Sequence, residues 1–436
     1  MNHPRHEEIP PGWRWPRGAM ADDAVRCFAS AIAAVAPGAV VERALTRLGA
    51  PQFTHLLALG KAALPMAEAA TSWQGAHGAP WRASLVVAPA GSERQLAGLT
   101  VVPGDHPVPG TNSVNAAAAI ARLAEDVTGR DHVLLLLSGG TTGLAGAPIS
   151  GVSLASLQSI FRMLLASGID IRGTNMVRKQ FLRWGGGRLA SALAPAAVHV
   201  LAISDVPGDE PATIGSGPVS PVLSTADDVA ALLSTHALEL PPDAAATLIA
   251  MRQGERAGLP APDDPCFSRI TFEVIASNRA ALAAASETAR SLGYAVAMEP
   301  GGLRGEARDT GARVARRLRA LASGEKRALI LGGESTVTLG KSSAEGGRNQ
   351  ELALAASREL QGLPQVVLLA AGTDGTDGNS ANAGGLVDGD TWSHIRDAAT
   401  RLDQHESTAA LAAADAEFYT ASTETNVMDV VIALSA

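Results

Sequence analysis

The chain has 436 residues, of which 46% are hydrophobic and 18% are charged, and its formal net charge is −8 at pH 7. A single hydrophobic core stops growing near roughly 250–300 residues, so we expect two globular domains. A net negative charge repels phosphate backbones and aromatic residues make up only 3% of the chain, which argues against a nucleic-acid partner. The two cysteines, Cys27 and Cys266, exclude a disulfide framework and match no zinc or redox spacing.

No segment has the character of a membrane anchor. The segment 1–18 is rich in proline and charge and lacks the apolar stretch of a secretory signal. The longest apolar runs, such as Val133–Leu137, have the length of a strand, far below the roughly 20 residues of a spanning helix. The sequence therefore predicts a cytoplasmic enzyme without a membrane partner, and it is compatible with a monomer or a homodimer.

Short apolar runs alternate with alanine-rich, helix-forming stretches from about residue 20 onward, which is typical of an α/β fold with a mainly parallel sheet. In chain order the predicted strands are His55–Leu59, Leu85–Ala88, His132–Leu137, His199–Ile203, Ile270–Ala276, Arg327–Leu331 and Val366–Ala370. The predicted helices include Ala62–Ala70, Asn115–Asp126, Arg279–Leu292 and Thr310–Ala322. The proline-rich stretch 238–265 indicates a helix between loops, and the polar break 323–326 indicates a boundary between domains of 20–310 and 320–436.

In an open α/β sheet, ligands bind beyond the carboxyl ends of the strands, so the residues that directly follow each strand are the candidates. Lys61 follows Gly60 at the end of the first strand, where an ammonium group at a helix N-terminus can bind an anion. Ser138-Gly139-Gly140 follows another strand, and its backbone N–H groups can wrap a phosphate or a carboxylate. The alternatives are a surface lysine after a tight turn and a glycine turn needed only for its geometry.

Three acidic residues, Asp205, Asp209 and Glu210, follow the strand His199–Ile203. Carboxylates near phosphate oxygens suit Mg²⁺, which keeps several waters and takes one or two protein carboxylates. One of these acids could instead orient or deprotonate an attacking hydroxyl group. Capping of a turn is the structural alternative for both aspartates.

The C-terminal part of the sequence has comparable strand ends. Gly332-Gly333-Glu334 follows Arg327–Leu331, and Arg348-Asn349-Gln350 begins a helical segment, where a planar guanidinium can bind phosphate oxygens in a way that lysine cannot. The glycine-rich segment 372–378 can lay its backbone against a ligand while its aspartates reach a hydroxyl group or a metal. A capped helix start and a tight double turn are the alternatives.

Two partial motifs carry little weight. Gly340-Lys341-Ser342 resembles the end of a Walker A loop, but that motif needs glycine at position 335, where this chain has serine. The segment 185–190 fits G-x-G-x-x-A, yet it follows a charged stretch and not a clear strand. It is the only sequence support for the runner-up hypothesis, an NAD(P)H-dependent hydroxypyruvate reductase.

Taken in order, these segments resemble the MOFRL-type glycerate 2-kinases, or class II glycerate kinases, a family often mislabelled hydroxypyruvate reductase. The resemblance is strongest at Gly60-Lys61-Ala62-Ala63, Ser138-Gly139-Gly140, Ser204–Asp209, Gly215-Ser216-Gly217-Pro218, Gly346–Glu351, Gly372–Gly378 and Asn426-Val427-Met428-Asp429. It implies two Rossmann-like α/β/α sandwiches with mainly parallel sheets and an active site in the cleft between them. It also implies ATP and Mg²⁺ as cofactors and transfer of the γ-phosphate to the 2-hydroxyl of D-glycerate, giving 2-phosphoglycerate.

The resemblance assigns roles to particular residues. Lys61 and Arg348 are the implied catalytic cations, Asp205 is a catalytic acid, and Asp205 and Asp209 bind the metal. The implied substrate-binding residues are Ser138, Gly139, Gly140, Arg178, Lys179, Gln180 and Asn349. The implied nucleotide-binding residues are Gly333, Glu334, Gln350, Gly372, Thr373, Asp374, Thr376 and Asp377.

Two segments depart from the family. Lys179-Gln180-Phe181-Leu182, followed by Arg183-Trp184, stands where the family usually reads Lys-His-Leu-Ser before its Gly-Gly pair. Ser422-Thr423-Glu424-Thr425 stands where the family tends to have Gly-Pro-Thr-Gly. Both changes could touch the acceptor pocket, so a different sugar-acid-like hydroxy acid is an alternative acceptor. A further hypothesis is a non-enzymatic ligand-binding protein that has kept the fold and lost the chemistry.

Overall fold

The structure, a computed structural model, describes residues 9–49, 52–92, 94–322, 324–340 and 343–436. The backbone packs into two compact units, a central unit of residues 37–275 and a terminal unit that joins the described part of 1–36 to 276–436. Lys341 and Ser342 of the partial Walker A motif lie outside the described residues, as does Ser323 at the predicted domain boundary.

Helices and strands alternate along most of the chain. The helices are α1 Ala19–Ala34, α2 Pro37–Leu48, α3 Ala63–His77, α4 Thr111–Glu125, α5 Thr141–Leu144, α6 Leu154–Ala166, α7 Ile171–Phe181, α8 Arg188–Leu193, α9 Ala226–Thr235, α10 Pro242–Arg252, α11 Asn278–Ser291, α12 Ala307–Leu321, α13 Arg348–Leu360, α14 Thr391–His394, α15 Ala398–Asp403 and α16 Ser407–Ala412. The strands are β1 His55–Leu59, β2 Ala83–Pro89, β3 Thr100–Gly104, β4 His132–Leu137, β5 Ala197–Ile203, β6 Ile270–Ala276, β7 Ala295–Leu303, β8 Arg327–Gly333, β9 Val366–Gly372, β10 Gly384–Asp388, β11 Glu417–Phe418 and β12 Asp429–Ser435. Short 3₁₀ turns cover Ile214–Ser216 and Pro265–Phe267.

The sheet of the central unit has the strand order β3-β2-β1-β4-β5-β6. The strands from β1 to β5 pair in parallel, and β1 lies between β2 and β4, so the strand order changes direction between β1 and β4. All five residues of β1 are buried, and so are five of the six in β4. Continuous burial of this kind is expected of parallel strands covered on both faces, and it confirms the predicted α/β class for this unit.

The sheet of the terminal unit is mixed, which corrects the expectation of mainly parallel sheets. Its order is β11-β10-β9-β12-β8-β7, and β12 pairs antiparallel with both β8 and β9. The pairs β9–β10 and β10–β11 are also antiparallel, and β7–β8 is parallel. The strand β10 follows β9 without an intervening helix, a connection that an antiparallel pair allows and a parallel crossover does not.

The first helix belongs to the terminal unit, so the domain boundaries predicted at 20–310 and 320–436 differ from the observed division. Seven residues of α1 are buried, and the ring of Phe28 on this helix lies 5.3 Å from that of Phe418 and 5.8 Å from that of Trp13. The segment 276–310 joins the same unit through α11 and β7. These contacts connect residues far apart in the chain, so local composition did not indicate them.

The predicted strands and helices are confirmed as elements, although several observed strands were not predicted. The seven predicted strands correspond to β1, β2, β4, β5, β6, β8 and β9, and the four predicted helices to α3, α4, α11 and α12. The strands that the sequence did not indicate are β3, β7, β10, β11 and β12. Within the described residues no single helix has both the length and the apolar composition to cross a membrane; the consecutive α1 and α2 pass that test only when taken together.

The close packing of α12 on α13 depends on Gly311. A β-carbon at this position would collide with the carbonyl oxygen of Leu352 on α13, so the two helix backbones approach as only glycine permits. Gly75 in α3 offers a contrast, because a β-carbon there would meet no atom within 4 Å.

We predict opposite effects of alanine at these two helical glycines. Gly311→Ala should lower the free energy of unfolding by about 1–3 kcal/mol because the helices must separate. Gly75→Ala should raise it by about 0.5–1 kcal/mol, since alanine favours a helix and meets no obstacle. Urea titrations followed by circular dichroism measure both, and equal effects would contradict the assigned helix contact.

Candidate functional site

The loops that follow β1 and β4 are hydrogen-bonded to each other at the point where the strand order of the central sheet reverses. The backbone N–H of Lys61 donates a hydrogen bond to the carbonyl oxygen of Gly139 (2.9 Å), and the N–H of Ala62 donates to Ser138 Oγ (3.1 Å). Ligands of open α/β sheets bind outside the carboxyl ends of the strands at such a reversal. The structure therefore brings two of the predicted segments together where a ligand is expected.

Three glycines allow these loops to approach each other. Gly60 has φ +121°, and a β-carbon there would collide with Ser138 Oγ. A β-carbon on Gly139 would collide with the carboxylate of Asp205, and one on Gly140 would lie 3.0 Å from Cγ of Lys61. The catalytic candidates Lys61 and Asp205 thus both lie against the glycine loop that follows β4.

His106 is a residue of this site that the sequence did not indicate. It follows β3, and its ring atom Cδ2 lies 3.3 Å from the position that a β-carbon of Gly140 would take. Burial lowers the pKa of His106 to about 4, and the positive charge of Lys61 adds to this effect. The imidazole is therefore neutral at neutral pH and adds no second positive charge beside Lys61.

The end of α7 carries the predicted substrate-binding residues Arg178, Lys179 and Gln180. Lys179 and Gln180 are buried, and burial lowers the pKa of Lys179 although the carboxylate of Glu210 opposes the shift. Arg178 stacks on the ring of Phe161 at 4.5 Å, and burial lowers its pKa as well. Among the described residues, neither Arg178 Nε nor Gln180 Oε1 has a hydrogen-bond partner.

Asp209 lies in a tight turn after β5. Its φ is +56°, and its N–H donates to the carbonyl oxygen of Val206 (3.1 Å). Such a turn is the structural alternative that the sequence left open for this aspartate. In the part of the chain that the structure describes, no three His, Cys, Asp or Glu side chains are close enough together to hold a metal ion.

A second group of predicted residues lies around Arg348 at the start of α13, where the inner strands β8 and β9 of the terminal sheet end and β12 begins. Arg348 donates from Nε to Asp429 Oδ2 (2.6 Å) and from Nη2 to Asp429 Oδ1 (3.0 Å), and its Nη1 forms an ion pair with Glu334. Burial works against the charge of Arg348, but the two carboxylates outweigh it and raise the pKa of the guanidinium above its ordinary value. Asp429 is a further residue that the sequence analysis did not assign to the site.

Asp377 caps the N-terminus of α13. Its Oδ1 accepts from the backbone and side-chain nitrogens of Asn349 (3.0 and 3.2 Å), and its Oδ2 accepts from those of Gln350 (2.8 and 3.2 Å). Burial raises the pKa of Asp377 to about 6, although the backbone N–H bonds oppose the shift. Gln350 Oε1 in turn accepts from Thr408 (2.8 Å). These contacts cap the N-terminus of α13. A capped helix start was the structural alternative to ligand binding for this segment.

The glycine-rich loop after β9 belongs to the same group of residues. Thr373 Oγ1 donates to the carbonyl oxygen of Met428 (2.6 Å) and accepts from the N–H of Val427 (2.8 Å), which ties the loop to the segment before β12. Asp374 Oδ1 accepts from the N–H and the hydroxyl of Thr376, both at 3.2 Å. In the sheet register, Asp429 lies beside Gly333 on one side and Gly372 on the other.

The partial dinucleotide motif does not have the context that it needs. Its glycines lie between α7 and α8, and no strand leads into them. Gly186 and Gly187 have φ of +57° and +85°, and their N–H groups donate to the carbonyl oxygens of Ser216 and Gly217 (3.0 and 2.8 Å). The glycines serve a turn, as the sequence analysis anticipated.

Comparison with known proteins identifies the family. Residues 23–249 match a family described as "Domain of unknown function (DUF4147)", and residues 327–429 match the MOFRL family. A D-glycerate 2-kinase of Thermotoga maritima is 33% identical over 421 residues, covering 94% of this chain and 97% of its own. An Agrobacterium vitis relative, provisionally named a hydroxypyruvate reductase, is 35% identical over 344 residues, covering 76% of this chain and 87% of its own.

A solved structure agrees with this result. The crystal structure of a glycerate kinase from Thermotoga maritima matches with a TM-score of 0.85 and 33% identity, over 96% of this chain and 100% of that one. The chain, whose DUF4147 match precedes its MOFRL match, therefore belongs to the glycerate kinase family.

Proposed function

We propose that this protein is an ATP-dependent glycerate kinase that transfers the γ-phosphate of ATP to the 2-hydroxyl of D-glycerate. The observation that carries the proposal is the pairing of Lys61 with the loop 138–140 at the strand-order reversal of the central sheet. Relatives named glycerate kinase or D-glycerate 2-kinase support the same reaction. The product 2-phosphoglycerate belongs to the proposal.

The residues of the central unit suit the binding of anions. Lys61 offers one positive charge and Gly139 and Gly140 offer backbone N–H groups, whereas the N–H of Ser138 donates to the carbonyl oxygen of Leu59. The neutral His106 beside them can donate or accept a hydrogen bond. The buried Lys179, with Arg178 and Gln180, supplies further donors for a carboxylate or hydroxyl group of the acceptor. Phosphoryl transfer needs mainly positioning and charge neutralisation, so a site of this kind is chemically sufficient.

The residues of the terminal unit suit the nucleotide. Arg348 would neutralise charge on the transferred phosphoryl group. The nucleotide would bind along Gly333, Gly372, Thr373, Asp374 and Thr376, beside Glu334. The sequence also assigns Asn349, Gln350 and Asp377 to ligands, but their side chains are buried. Since Asn349, Gln350 and Asp377 hold one another at the start of α13, we assign them the task of fixing the position of Arg348 and the neighbouring loop.

A magnesium ion fits this proposal through Asp205. Mg²⁺ usually takes one or two protein carboxylates and completes its shell with waters and substrate phosphates, so a cluster of three acidic side chains is not required. The Asp205 carboxylate lies against the backbone of Gly139, in the loop assigned to anion binding. Asp205, with Asp209 from the same loop, would hold the ion, and the ion would supply charge neutralisation at the phosphate oxygens.

An acceptor screen tests the reaction. We expect purified protein with ATP and Mg²⁺ to release ADP with D-glycerate, and an enolase-coupled assay should identify the product as 2-phosphoglycerate. Other hydroxy acids in the panel test the alternative acceptors that the departures at 180–184 and 422–425 suggest. A loss of NADH absorbance with hydroxypyruvate, in the absence of ADP release, would support the reductase instead.

Replacement of Lys61 tests whether the pairing of this lysine with the loop 138–140 matters for the reaction. Lys61→Ala should lower kcat by roughly 10²–10³-fold, the usual loss when one group that stabilises transition-state charge is removed. Lys326→Ala is the control, because this lysine stacks on Tyr294 in the terminal unit and takes no part in the proposed site. If the two variants turn over at the same rate, Lys61 has no role in the reaction.

A further inference from the structure

We propose that Arg348 is held by two carboxylates with different tasks: Asp429 is a positioning residue that fixes the guanidinium plane, and Glu334 is an exchangeable partner that a phosphate group of the substrate displaces. The inference rests on the proposed function, in which Arg348 neutralises charge on the transferred phosphoryl group. The inference adds Asp429 and Glu334 to the surroundings on which that role depends. It predicts that a change at Asp429 impairs catalysis and that a change at Glu334 strengthens the binding of ATP.

The surroundings of Asp429 suit a fixed partner. Its side chain is 1% exposed, and its two oxygens bind Nε and Nη2 of Arg348 in the parallel arrangement that fixes both the distance and the plane of a guanidinium. The flanking strands place Gly333 and Gly372 beside it, so neighbouring side chains leave its carboxylate room. Asn278 Nδ2 donates to the carbonyl oxygen of Asp429 (2.9 Å), which fixes the start of β12.

The surroundings of Glu334 suit a partner that can leave. Its side chain is 41% exposed, and it forms an ion pair with the outer nitrogen Nη1 of Arg348. The backbone of Glu334 is fixed independently, because its N–H donates to the carbonyl oxygen of Leu303 (3.0 Å). The side chain can therefore turn toward solvent without disturbing the sheet, and partly exposed ion pairs of this kind contribute little to stability.

The charge around the guanidinium explains what an exchange would change. Arginine carries five N–H groups, and the contacts with Asp429 and Glu334 engage one on Nε, one on Nη2 and one on Nη1, so these contacts leave two. Two carboxylates on one guanidinium also leave the group with a net negative charge, which repels a phosphate. Departure of Glu334 frees a donor on Nη1 and leaves Arg348 and Asp429 as a neutral pair with N–H groups available for phosphate oxygens.

The exchange is tested with Glu334→Gln in the full-length protein. We expect the KM for ATP to fall by about twofold to fivefold, because an ion pair of this exposure competes with the phosphate by that amount. Glu325→Gln is the matched control, since Glu325 is an exposed glutamate paired with Arg327 (2.5 Å) at the opposite end of β8; its KM should stay at the wild-type value. An unchanged or higher KM for ATP in Glu334→Gln would overturn the exchange.

The positioning role is tested with a double-mutant cycle of Asp429→Asn and Arg348→Lys. Each single variant should lower kcat by about 10- to 100-fold, because a displaced catalytic group loses about that much. The double variant should be no more than twofold worse than Arg348→Lys, since Asp429 acts only through the guanidinium. Effects that multiply would overturn the positioning role, because general damage to β12 acts independently of residue 348.

Two further measurements separate the possible failures. Ser435→Ala, a change at the buried far end of β12, should leave kcat unchanged and controls for disturbance of that strand. If Asp429→Asn does not fold, Asp429→Glu replaces it in the cycle, because it keeps the charge and moves the carboxylate by one methylene. If Arg348→Lys retains wild-type kcat, the proposed role of Arg348 falls together with this inference, whereas an impaired Arg348→Lys with multiplying effects overturns the inference alone.

Discussion

The hydrogen bond from the N–H of Lys61 to the carbonyl oxygen of Gly139 is the interaction on which the central site depends. It joins the loops after β1 and β4, two adjacent parallel strands whose connecting helices leave in opposite directions along the sheet. The approach requires glycine at positions 60 and 139, since a β-carbon at either would collide with Ser138 or Asp205. The backbone conformation of these loops, and not a flexible side chain, therefore fixes the positions from which the side chains of Lys61 and Asp205 extend.

The rule that ligands bind beyond strand ends selected these candidate residues from the sequence because the strands before them are apolar and buried. β1 and β4 appear in the sequence as uninterrupted apolar runs, so Lys61 and Ser138-Gly139-Gly140 stood out directly after them. β3 is mostly half-exposed, contains Pro103, and was not predicted. His106 follows that strand, so the same rule could not select it although the fold places it beside Gly140 and Lys61.

The terminal unit was harder to predict because its interactions connect distant segments. The alternation of apolar and helical segments suggested a parallel sheet, but the last strand, β12, enters antiparallel between β8 and β9. Its first residue, Asp429, is 81 residues from the arginine that it binds, and no local pattern joins them. The contacts of Asp377 were not predicted for the same reason. Its glycine-rich surroundings suggested a ligand, but its oxygens accept hydrogen bonds from the N–H groups at the start of α13.

The two proposed cations differ in how they are held, and the difference suits different tasks. Within the described ranges Lys61 forms no ion pair, its side chain is exposed, and the nearby imidazole of His106 is neutral. A flexible ammonium of this kind can follow a charged group as it moves. Arg348 has a rigid planar group fixed by a buried carboxylate, so it can bind oxygen atoms only in one plane and direction. The arginine can therefore define the geometry of a bound phosphate, and a lysine could not replace it without losing that geometry.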